Sequence, residues 1–435
     1  MLLEELLGQF GNFCIHKEKD YAFGLSFCLM TKRNRPWGHH EVQAEETKRS
    51  LHPDTLAIRG ALTRTGFGET SEALFLTSGF TYDSAEQAEA AFLDGGDHYL
   101  YSRFANPTVS MFEERLALLE GAEAGHATGS GMSAMFASLA SIVSSGDRVV
   151  ASAAMFSSCY VVLTEILPKW GVTVEIVENN EPRTWEIALS RPAKAVFIET
   201  PSNPLLEIVD IAMISALAHE AGALVIVDNV MASPVLQKPL SHGADIVMYS
   251  ATKHIDGQGR VLGGAILGSK DYVNNTLMPF TRHTGPALSP FNAWVLTKSL
   301  ETMSLRVNKM NQSALQIAEK LESLAGIKRV WYPFLDSHPG HQLAKKQMAG
   351  GGTTIAIELD RPKEDVFGFL NRLEVIDISN NLGDSRSLIT HPASTTHRRL
   401  DRETQLKMGI TESTLRLSVG LEDPIDLFED LALAL

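Results

Sequence analysis

The amino-acid sequence predicts an α/β protein with a large domain, built on a mostly parallel sheet, and a smaller C-terminal α+β domain. The first observation is an alternation of short apolar strands with amphipathic helices between residues 109 and 305. Such an alternation places helices on both faces of a parallel sheet. The second observation is a change of character after a long predicted helix at 291–325. Beyond it, the predicted strands are 351–359, 375–379 and 414–420, and the predicted helices are 363–373 and 424–433.

Composition and charge limit the classes of function. The chain has 435 residues, with 38 Lys and Arg against 52 Asp and Glu, and a formal charge of -14. A negative net charge disfavours nucleic acid and anionic membrane surfaces as partners. The sequence also lacks an apolar run of about 18 residues, which a membrane-spanning helix would need. A small-molecule ligand is therefore expected.

The three cysteines predict neither a disulfide framework nor a metal site. Cys14, Cys28 and Cys159 form no Cys-x-x-Cys motif, and one of them must stay unpaired. This usage is typical of the reducing cytosol, so a cytoplasmic protein is expected.

The predicted domain organisation has four parts. Residues 1–49 form a loosely ordered N-terminal extension that lacks the basic start of a signal peptide. Residues 50–108 form an arm, because 54–81 is loop-like and rich in turn residues. Residues 109–305 form the large domain, and residues 306–435 form the small domain.

Lys253 is the first candidate for a catalytic residue. It follows a predicted strand at 246–248 and precedes another at 263–267, so it lies on the connecting loop. A lysine in this position is either solvated or, if its pKa is lowered, a nucleophile that forms a Schiff base with a carbonyl cofactor. The hydroxyls of Ser250 and Thr252 favour the second interpretation, because they provide donors for a phosphate beside the amine.

Asp228 supports the same chemistry. It ends an apolar strand at 223–229, and open α/β sheets bind their ligands at the carboxyl ends of strands. Pyridoxal phosphate acts as an electron sink when its ring nitrogen is protonated, and a neighbouring carboxylate stabilises that cation. The aspartate and the lysine together predict a pyridoxal phosphate site.

Three further features have two interpretations each. Gly131 and Met132 open a helix after a glycine turn, which suits phosphate binding, although a Gly-x-Gly alone is weak evidence. Tyr101 and Arg103 precede another helix as either a phosphate clamp or an ordinary turn. Arg416 alternates with apolar residues in the last predicted strand and is either a carboxylate-binding residue or an exposed arginine.

Several segments resemble the pyridoxal phosphate enzymes of cysteine and methionine metabolism. They run in order from about residue 54 to the C-terminus and leave only the extension unmatched. The segments are Tyr-Ser-Arg-Phe-Ala-Asn-Pro-Thr, Ser-Gly-Met, Glu-Thr-Pro-Ser-Asn-Pro, Val-Asp-Asn, Tyr-Ser-Ala-Thr-Lys, His-Pro-Ala-Ser-Thr-Thr-His and Leu-Arg-Leu-Ser-Val-Gly-Leu-Glu-Asp. The resemblance implies a pyridoxal phosphate fold type I architecture, like that of aspartate aminotransferase. It also implies a homotetramer of two dimers, in which the 50–108 arm contributes to the neighbouring active site.

The resemblance also implies roles for individual residues. Lys253 would hold the cofactor as a Schiff base and transfer protons, and Asp228 would pair with the pyridine nitrogen. Arg416 would bind the substrate α-carboxylate, and Asn203 would contact both the cofactor and the substrate. The phosphate would be held by Gly131, Met132, Ser250 and Thr252, and by Tyr101 and Arg103 of the neighbouring subunit.

Two positions depart from the family pattern. Phe156 stands where many members stack a tyrosine on the cofactor, and Asn381 stands where many have a serine near the substrate. A phenylalanine still stacks on a ring, but it has no hydroxyl to act as an acid or base.

Within the family, segments 253–264 and 378–384 are most similar to the O-succinylhomoserine sulfhydrylases. The expected reaction is a γ-replacement that forms L-homocysteine from O-succinyl-L-homoserine and sulfide, a step of methionine biosynthesis. The alternatives are a cystathionine γ-synthase, a methionine or cystathionine γ-lyase, or a catalytically silent homologue that acts as a binding protein. Sequence alone leaves open the acyl group and the choice between sulfide and cysteine.

Overall fold

The computed structural model describes residues 51–94 and 98–435. The predicted extension at 1–49 therefore lies outside the described residues. The chain divides into two units. The described part of the first unit lies within Leu62–Leu74 and Tyr82–His98, and the second unit consists of Leu51–Ala61, Phe75–Thr81 and Tyr99–Leu435. The sheets and the candidate site described below belong to the second unit.

The described strands are β1 (Ala124–Thr128), β2 (Arg148–Ser152), β3 (Thr173–Val177), β4 (Ala195–Glu199), β5 (Leu224–Asp228), β6 (Ile246–Ser250), β7 (Gly264–Gly268), β8 (Ile327–Trp331), β9 (Thr354–Leu359), β10 (Asp377–Ile378), β11 (Leu388–Thr390) and β12 (Thr414–Ser418). The described α-helices are α1 (Pro53–Arg59), α2 (Ala85–Asp94), α3 (Pro107–Glu120), α4 (Gly131–Ala140), α5 (Ser157–Val161), α6 (Pro182–Ala188), α7 (Ile211–Glu220), α8 (Ser233–Leu236), α9 (Met278–Thr284), α10 (Pro290–Leu300), α11 (Met303–Leu321), α12 (His341–Gln347), α13 (Lys363–Arg372), α14 (Arg402–Lys407) and α15 (Pro424–Ala434). Short π-helical segments (Val162–Ile166 and Tyr272–Leu277) and 3-10 segments (Leu167–Trp170, Pro239–His242 and Pro392–Ser394) complete the helical structure of the described residues.

Seven of the described strands form one sheet in the order β1-β7-β6-β5-β4-β2-β3. The pairs from β6 to β3 are parallel, and β7 runs antiparallel to both of its neighbours. The residues of β4 and β7 are all buried, as are all but one residue each of β5 and β6. Strands covered by helices on both faces need near-continuous apolar sequences, which these strands have. The predicted mostly parallel sheet is confirmed.

The smaller sheet has the order β10-β11-β12-β9-β8; its β10-β11 pairing is parallel, and its other three pairings are antiparallel. Its core is formed by apolar residues of β9 and β12 together with residues of α11, α13 and α15. In β12, Leu415 and Leu417 belong to this core, whereas Arg416 points to the opposite face because side chains alternate along a strand. This register directs Arg416 away from the core.

The long helix predicted at 291–325 is divided in the structure. The helix α10 ends at Leu300, and α11 begins at Met303 after a non-helical Thr302 with φ -115° and ψ 4°. The guanidinium of Arg306 compensates for the break, because it donates to the carbonyl oxygens of Ser299 at 3.0 Å and His254 at 2.9 Å. The periodicity of the sequence does not predict a contact between such distant parts of the chain.

A short helix, α1 (Pro53–Arg59), overlaps the start of the 54–81 stretch predicted to be loop-like. Pro53 occupies its first turn, and the His52 side chain accepts a hydrogen bond from the Asp54 N–H at 3.2 Å. A proline at the start of a helix and a capping acceptor both favour helix initiation. Arg115 of α3 then donates to the Gly60 carbonyl at 2.9 Å, which fixes the end of this segment.

Among the described residues, no helix is both long enough and apolar enough to cross a membrane. The described residues also contain no cluster of three or more His, Cys, Asp or Glu side chains arranged to hold a metal ion.

Glu120, at the end of α3, is expected to make stability depend on pH. It is buried, Tyr249 Oη donates to its Oε2, and its Oε1 has no partner in the described part of the chain. Burial raises the pKa of Glu120 to about 8 from an ordinary 4.5. The folded-state pKa is the higher one, so the contribution of the protonated Glu120 to the free energy of unfolding is complete below the unfolded pKa of about 4.5. This contribution falls as the pH rises above that value and is lost once the pH has passed about 8.

The substitution Glu120→Gln removes this titration. At pH 4, where the glutamate is protonated in both states, the variant should be nearly equal in stability to the unmodified chain, and at pH 9 it should be more stable by a few kcal/mol, because roughly 1 kcal/mol is lost for each pH unit between the unfolded and folded pKa values. Thermal unfolding measured across this pH range provides the test. Parallel stability profiles for the two proteins would contradict the assignment.

Candidate active site

A cavity of about 270 Å³ lies at the carboxyl ends of the central parallel strands. Glu199, Asp228 and Ser250 are the last residues of β4, β5 and β6, and all three line it. The N-terminus of α4 and Arg416 of β12 contribute further walls. Its described lining residues are Ser130, Gly131, Met132, Met135, Phe156, Cys159, Glu199, Asn203, Asp228, Val230, Met231, Met248, Ser250, Thr252, Lys253, Leu262, Asn380, Leu382, Thr396 and Arg416. Ligands of open α/β sheets bind at this edge.

One wall combines a helix N-terminus with a hydroxyl group. Ser130 caps α4 by accepting from the Ser133 N–H at 3.1 Å, and Gly131 and Met132 form the first turn. A Cβ atom on Gly131 would lie 2.4 Å from Cβ of Ser250, so only glycine permits this approach. The N–H groups of a first helical turn have no partners within the helix, and together with the Ser250 hydroxyl they form a cradle suited to a phosphate.

Thr252 lies on the loop that follows β6, two residues after Ser250, and lines the same cavity. Its Oγ1 donates to the carbonyl of Gly263 at 3.3 Å and accepts from the Gly263 N–H at 3.2 Å. These two contacts hold the segment between β6 and β7 together around Lys253.

Lys253 lines the cavity and is partly buried, unlike a solvated surface lysine. Its Nζ donates a hydrogen bond to Oδ1 of Asn381. Burial, assisted by the positive charge of Arg416, lowers the pKa of Lys253 to about 8 from an ordinary 10.5. A larger share of the amine is therefore neutral and nucleophilic near neutral pH.

This lowered pKa predicts the pH dependence of cofactor capture. Only the neutral amine attacks an aldehyde, so the rate at which the apoprotein captures pyridoxal phosphate should rise with pH and level off above about 8. Stopped-flow absorbance at several pH values measures this rate. A rate that keeps rising to pH 10 would indicate an ordinary lysine.

Asp228 is buried at the end of β5, and its Oδ1 accepts from the Val230 N–H at 3.0 Å. Burial raises the pKa of Asp228 to about 7 from an ordinary 3.8. A carboxylate that is costly to ionise in its site gains from a cationic partner, and a protonated ring nitrogen is such a partner. The residue therefore fits the pyridine end of pyridoxal phosphate.

Arg416 is buried, at 2% exposure, so it is not the exposed strand arginine that the pattern also allowed. Its Nη1 donates to Oδ1 of Asn203 at 2.9 Å, and its Nη2 donates to the carbonyls of Asn380 at 2.9 Å and Asn381 at 3.1 Å. Its Nε is buried and has no partner in the described part of the chain. A buried guanidinium with a free N–H suits a carboxylate ligand.

Tyr101 and Arg103 do not line the cavity of their own chain. Tyr101 is 44% exposed, and the Arg103 guanidinium lies 5.5 Å from the centre of its ring. Arg103 also donates to the carbonyl of Arg282. Their role in a neighbouring active site stays a prediction.

The cavity thus brings together nine of the predicted residues: Gly131, Met132, Phe156, Asn203, Asp228, Ser250, Thr252, Lys253 and Arg416. Asn381 contacts Lys253 without lining the cavity. Sequence analysis missed Glu199, although a carboxylate that ends an apolar strand, like Asp228, was a usable signal. It also did not name Leu262 and Thr396 as site residues, although both lie in segments that carry the resemblance to the family.

Comparison with known proteins identifies the group to which this fold and site belong. The family described as "Cys/Met metabolism PLP-dependent enzyme" matches residues 54–435. The chain is 53% identical over 385 residues to the O-succinylhomoserine sulfhydrylase of Mycobacterium tuberculosis, which covers 88% of this chain and 95% of that protein. It is 44% identical to the O-succinylhomoserine sulfhydrylase of Pseudomonas aeruginosa over 87% of this chain and 94% of that protein. Identity to the L-methionine gamma-lyase of Porphyromonas gingivalis is 36%, over 87% of this chain and 95% of that protein.

The solved structures that are similar to this chain are also enzymes of this kind. A putative O-acetylhomoserine (thiol)-lyase from Campylobacter jejuni, which contains N'-pyridoxyl-lysine-5'-monophosphate, has a TM-score of 0.85 at 32% identity over 88% of this chain and 99% of that chain. A cystathionine gamma synthase from Xanthomonas oryzae has a TM-score of 0.85 at 34% identity over 89% of this chain and 98% of that chain. The predicted fold type I architecture and the predicted cofactor, pyridoxal phosphate, are confirmed. The chain therefore belongs to the family of Cys/Met metabolism PLP-dependent enzymes.

Proposed function

We propose that this chain is a pyridoxal phosphate-dependent O-succinylhomoserine sulfhydrylase. It would replace the succinyl group of O-succinyl-L-homoserine with sulfide and release L-homocysteine and succinate, a step of methionine biosynthesis in the cytoplasm. The gradient of similarity carries the proposal, because relatives with this activity in their names are 53% and 44% identical to the chain, against 36% for a relative named as a methionine gamma-lyase.

The residues of the cavity have distinct tasks toward the cofactor. The first-turn N–H groups of Gly131 and Met132 and the hydroxyls of Ser250 and Thr252 would hold its phosphate. Asp228 would stabilise the protonated ring nitrogen, and Phe156 would pack against the ring face. Bound pyridoxal phosphate supplies an electron-withdrawing ring that stabilises negative charge on the carbon atoms of an attached amino acid.

The same cavity orients and deprotonates the substrate. Arg416 would bind the α-carboxylate through the N–H that lacks a partner, while Asn203 and the carbonyls of Asn380 and Asn381 hold its other donors. Lys253, once released from the cofactor, would remove the α-proton as a neutral amine and would then transfer protons at the β-carbon. The Phe156 side chain has no proton to give to the departing succinate. Sulfide then adds at the γ-carbon that succinate has left.

The test offers purified holoenzyme O-succinyl-L-homoserine with equal concentrations of sulfide and cysteine and identifies the products by mass spectrometry. Homocysteine as the main product supports the proposal. Cystathionine would indicate a cystathionine γ-synthase, and 2-oxobutyrate without consumption of either thiol would indicate a γ-lyase. A protein without a yellow, borohydride-sensitive cofactor would be a silent homologue.

The charge balance of the cavity supports a site shared between two subunits. Within the described part of the chain, Lys253 and Arg416 are the basic residues that line it. The cofactor phosphate and the two carboxylates of O-succinylhomoserine carry more negative charge than these two groups neutralise. Arg103 and Tyr101 of a second copy would complete the phosphate site, within a homotetramer of two active dimers.

Subunit mixing should reveal such sharing. Arg103→Ala and Lys253→Ala proteins are each expected to be nearly inactive, but a hybrid dimer places both defects in one site and leaves the other intact. Random exchange makes half of the dimers hybrid, so about a quarter of the wild-type activity should return. Mixing Lys253→Ala with Asp228→Ala is the matched control, because these residues line the cavity of one chain and every hybrid site keeps a defect. Equal activity of the two mixtures would contradict the shared site.

A further inference from the structure

Glu199 is a buried carboxylate to which the reaction described above assigns no role. It ends β4, is 2% exposed, and lines the cavity beside Asp228. The two carboxylates occupy paired positions of neighbouring parallel strands. A carboxylate at such a depth needs hydrogen-bond donors or cations, so its contacts indicate what it does.

Both oxygens of Glu199 accept hydrogen bonds from backbone N–H groups in two different loops. Oε2 accepts from Phe156 at 2.6 Å, and Oε1 accepts from Asn203 at 2.8 Å. Phe156 immediately precedes α5, and Asn203 lies in the loop that follows β4. Glu199 therefore connects the turn that carries the Phe156 ring to the loop that carries the Asn203 amide.

The Asn203 loop extends this connection to the smaller sheet. Oδ1 of Asn203 accepts from Nη1 of Arg416 at 2.9 Å, and Arg416 belongs to β12. A displacement of the Asn203 backbone would move the acceptor that orients the guanidinium. Through this one amide, Glu199 influences the group that faces the substrate carboxylate without touching it.

The acceptor chemistry requires a carboxylate at this position. Two N–H donors approach the two oxygens separately, and a carboxylate has lone pairs on both, whereas a carboxamide turns one of the two atoms into a donor. The positive charge of Arg416 also favours the ionised form, although burial and the neighbouring Asp228 raise the pKa of Glu199 above its usual range.

We propose that Glu199 is a positioning residue that aligns the Phe156 ring with the Asn203–Arg416 pair across the cavity. One carboxylate then sets the geometry between the side chain that covers the cofactor and the side chain that binds the substrate. The cofactor part of this inference rests on the family of the chain, and only the substrate part rests on the proposed function.

Two substitutions test the inference. Glu199→Gln keeps the size but points an N–H at one of the backbone N–H groups, and Glu199→Asp keeps the charge but is too short to reach both. For each variant, the visible circular dichroism of the bound cofactor, the Kd of the apoprotein for pyridoxal phosphate, and kcat and KM are measured. We expect a weaker dichroism band and roughly tenfold increases in the Kd and in the KM for O-succinylhomoserine, with thermal unfolding of the apoprotein close to that of the wild type.

Glu358→Gln is the matched control. Glu358 is another buried carboxylate, in β9, and accepts from Lys328 and Thr411 outside the cavity. Its replacement should leave the dichroism and the cofactor Kd unchanged.

Three results would overturn the inference. The first is unchanged dichroism and cofactor Kd in Glu199→Gln. The second is full recovery of wild-type behaviour in Glu199→Asp, which would assign the role to charge alone. The third is loss of the folded state in both variants, which would assign Glu199 to the fold. If the enzyme prefers another acyl group or nucleophile, the dichroism and the cofactor Kd still test the role of Glu199, because neither depends on the substrate. The KM is then measured with the preferred substrate.

Discussion

Replacing Lys253 with alanine is expected to lower kcat for homocysteine formation on the order of 10⁴-fold. The side chain lines the cavity, and burial lowers the pKa of its amine to about 8. The variant loses the nucleophile that binds the cofactor covalently and also the base that moves protons on the substrate. No other lysine lines the cavity among the described residues, so no neighbouring amine replaces it.

Two further variants test whether activity requires the amine of Lys253 itself. One asks whether a positive charge is enough, and the other controls for the general effect of removing a lysine. Lys253→Arg keeps a cation but cannot supply a neutral amine, so it should be as inactive as the alanine variant. Lys346→Ala removes an exposed lysine of α12 and should retain wild-type activity. Borohydride reduction followed by peptide mapping should place the cofactor on Lys253 in the unmodified protein. Substantial sulfhydrylation by purified Lys253→Ala would refute the assignment.

The parts of the site that sequence predicted best are those set by local pattern and chain direction. Asp228 and Ser250 end apolar segments that become neighbouring parallel strands, and Lys253 follows the second of them. Parallel strands end at the same edge of a sheet, so residues at their carboxyl ends meet without further information. The alternation of strands and helices predicted the large sheet for the same reason.

The parts that sequence could not predict depend on contacts between distant segments. The hydrogen bond from Lys253 to Asn381 joins residues 128 positions apart, and that from Arg416 to Asn203 joins residues 213 positions apart. Arg416 is buried because the smaller sheet packs against the Asn203 loop. The periodicity of the sequence does not predict this packing. The division of the predicted helix at Thr302 likewise relies on Arg306 and the carbonyl of His254.

Arg416→Lys is expected to raise the KM for O-succinyl-L-homoserine on the order of 100-fold, with a smaller effect on kcat. The native guanidinium donates three hydrogen bonds, one each to Asn203, Asn380 and Asn381, and its Nε–H is still available for a ligand. An ammonium has three donors and no planar fork, so it cannot satisfy the same acceptors and a carboxylate together. The loss should therefore appear mainly in binding of the α-carboxylate.

A ligand comparison isolates that interaction from damage elsewhere in the site. Absorbance titration of the holoenzyme with glycine and with methylamine, which lacks the carboxylate, gives two affinities. The unmodified protein should prefer glycine, and Arg416→Lys should lose most of this preference while its affinity for methylamine stays nearly constant. Arg329→Lys in β8, whose guanidinium packs on Trp331 outside the cavity, is the control and should keep the wild-type preference. If Arg416→Lys keeps the glycine preference, another residue binds the α-carboxylate, and the orientation of substrate proposed for this cavity is wrong.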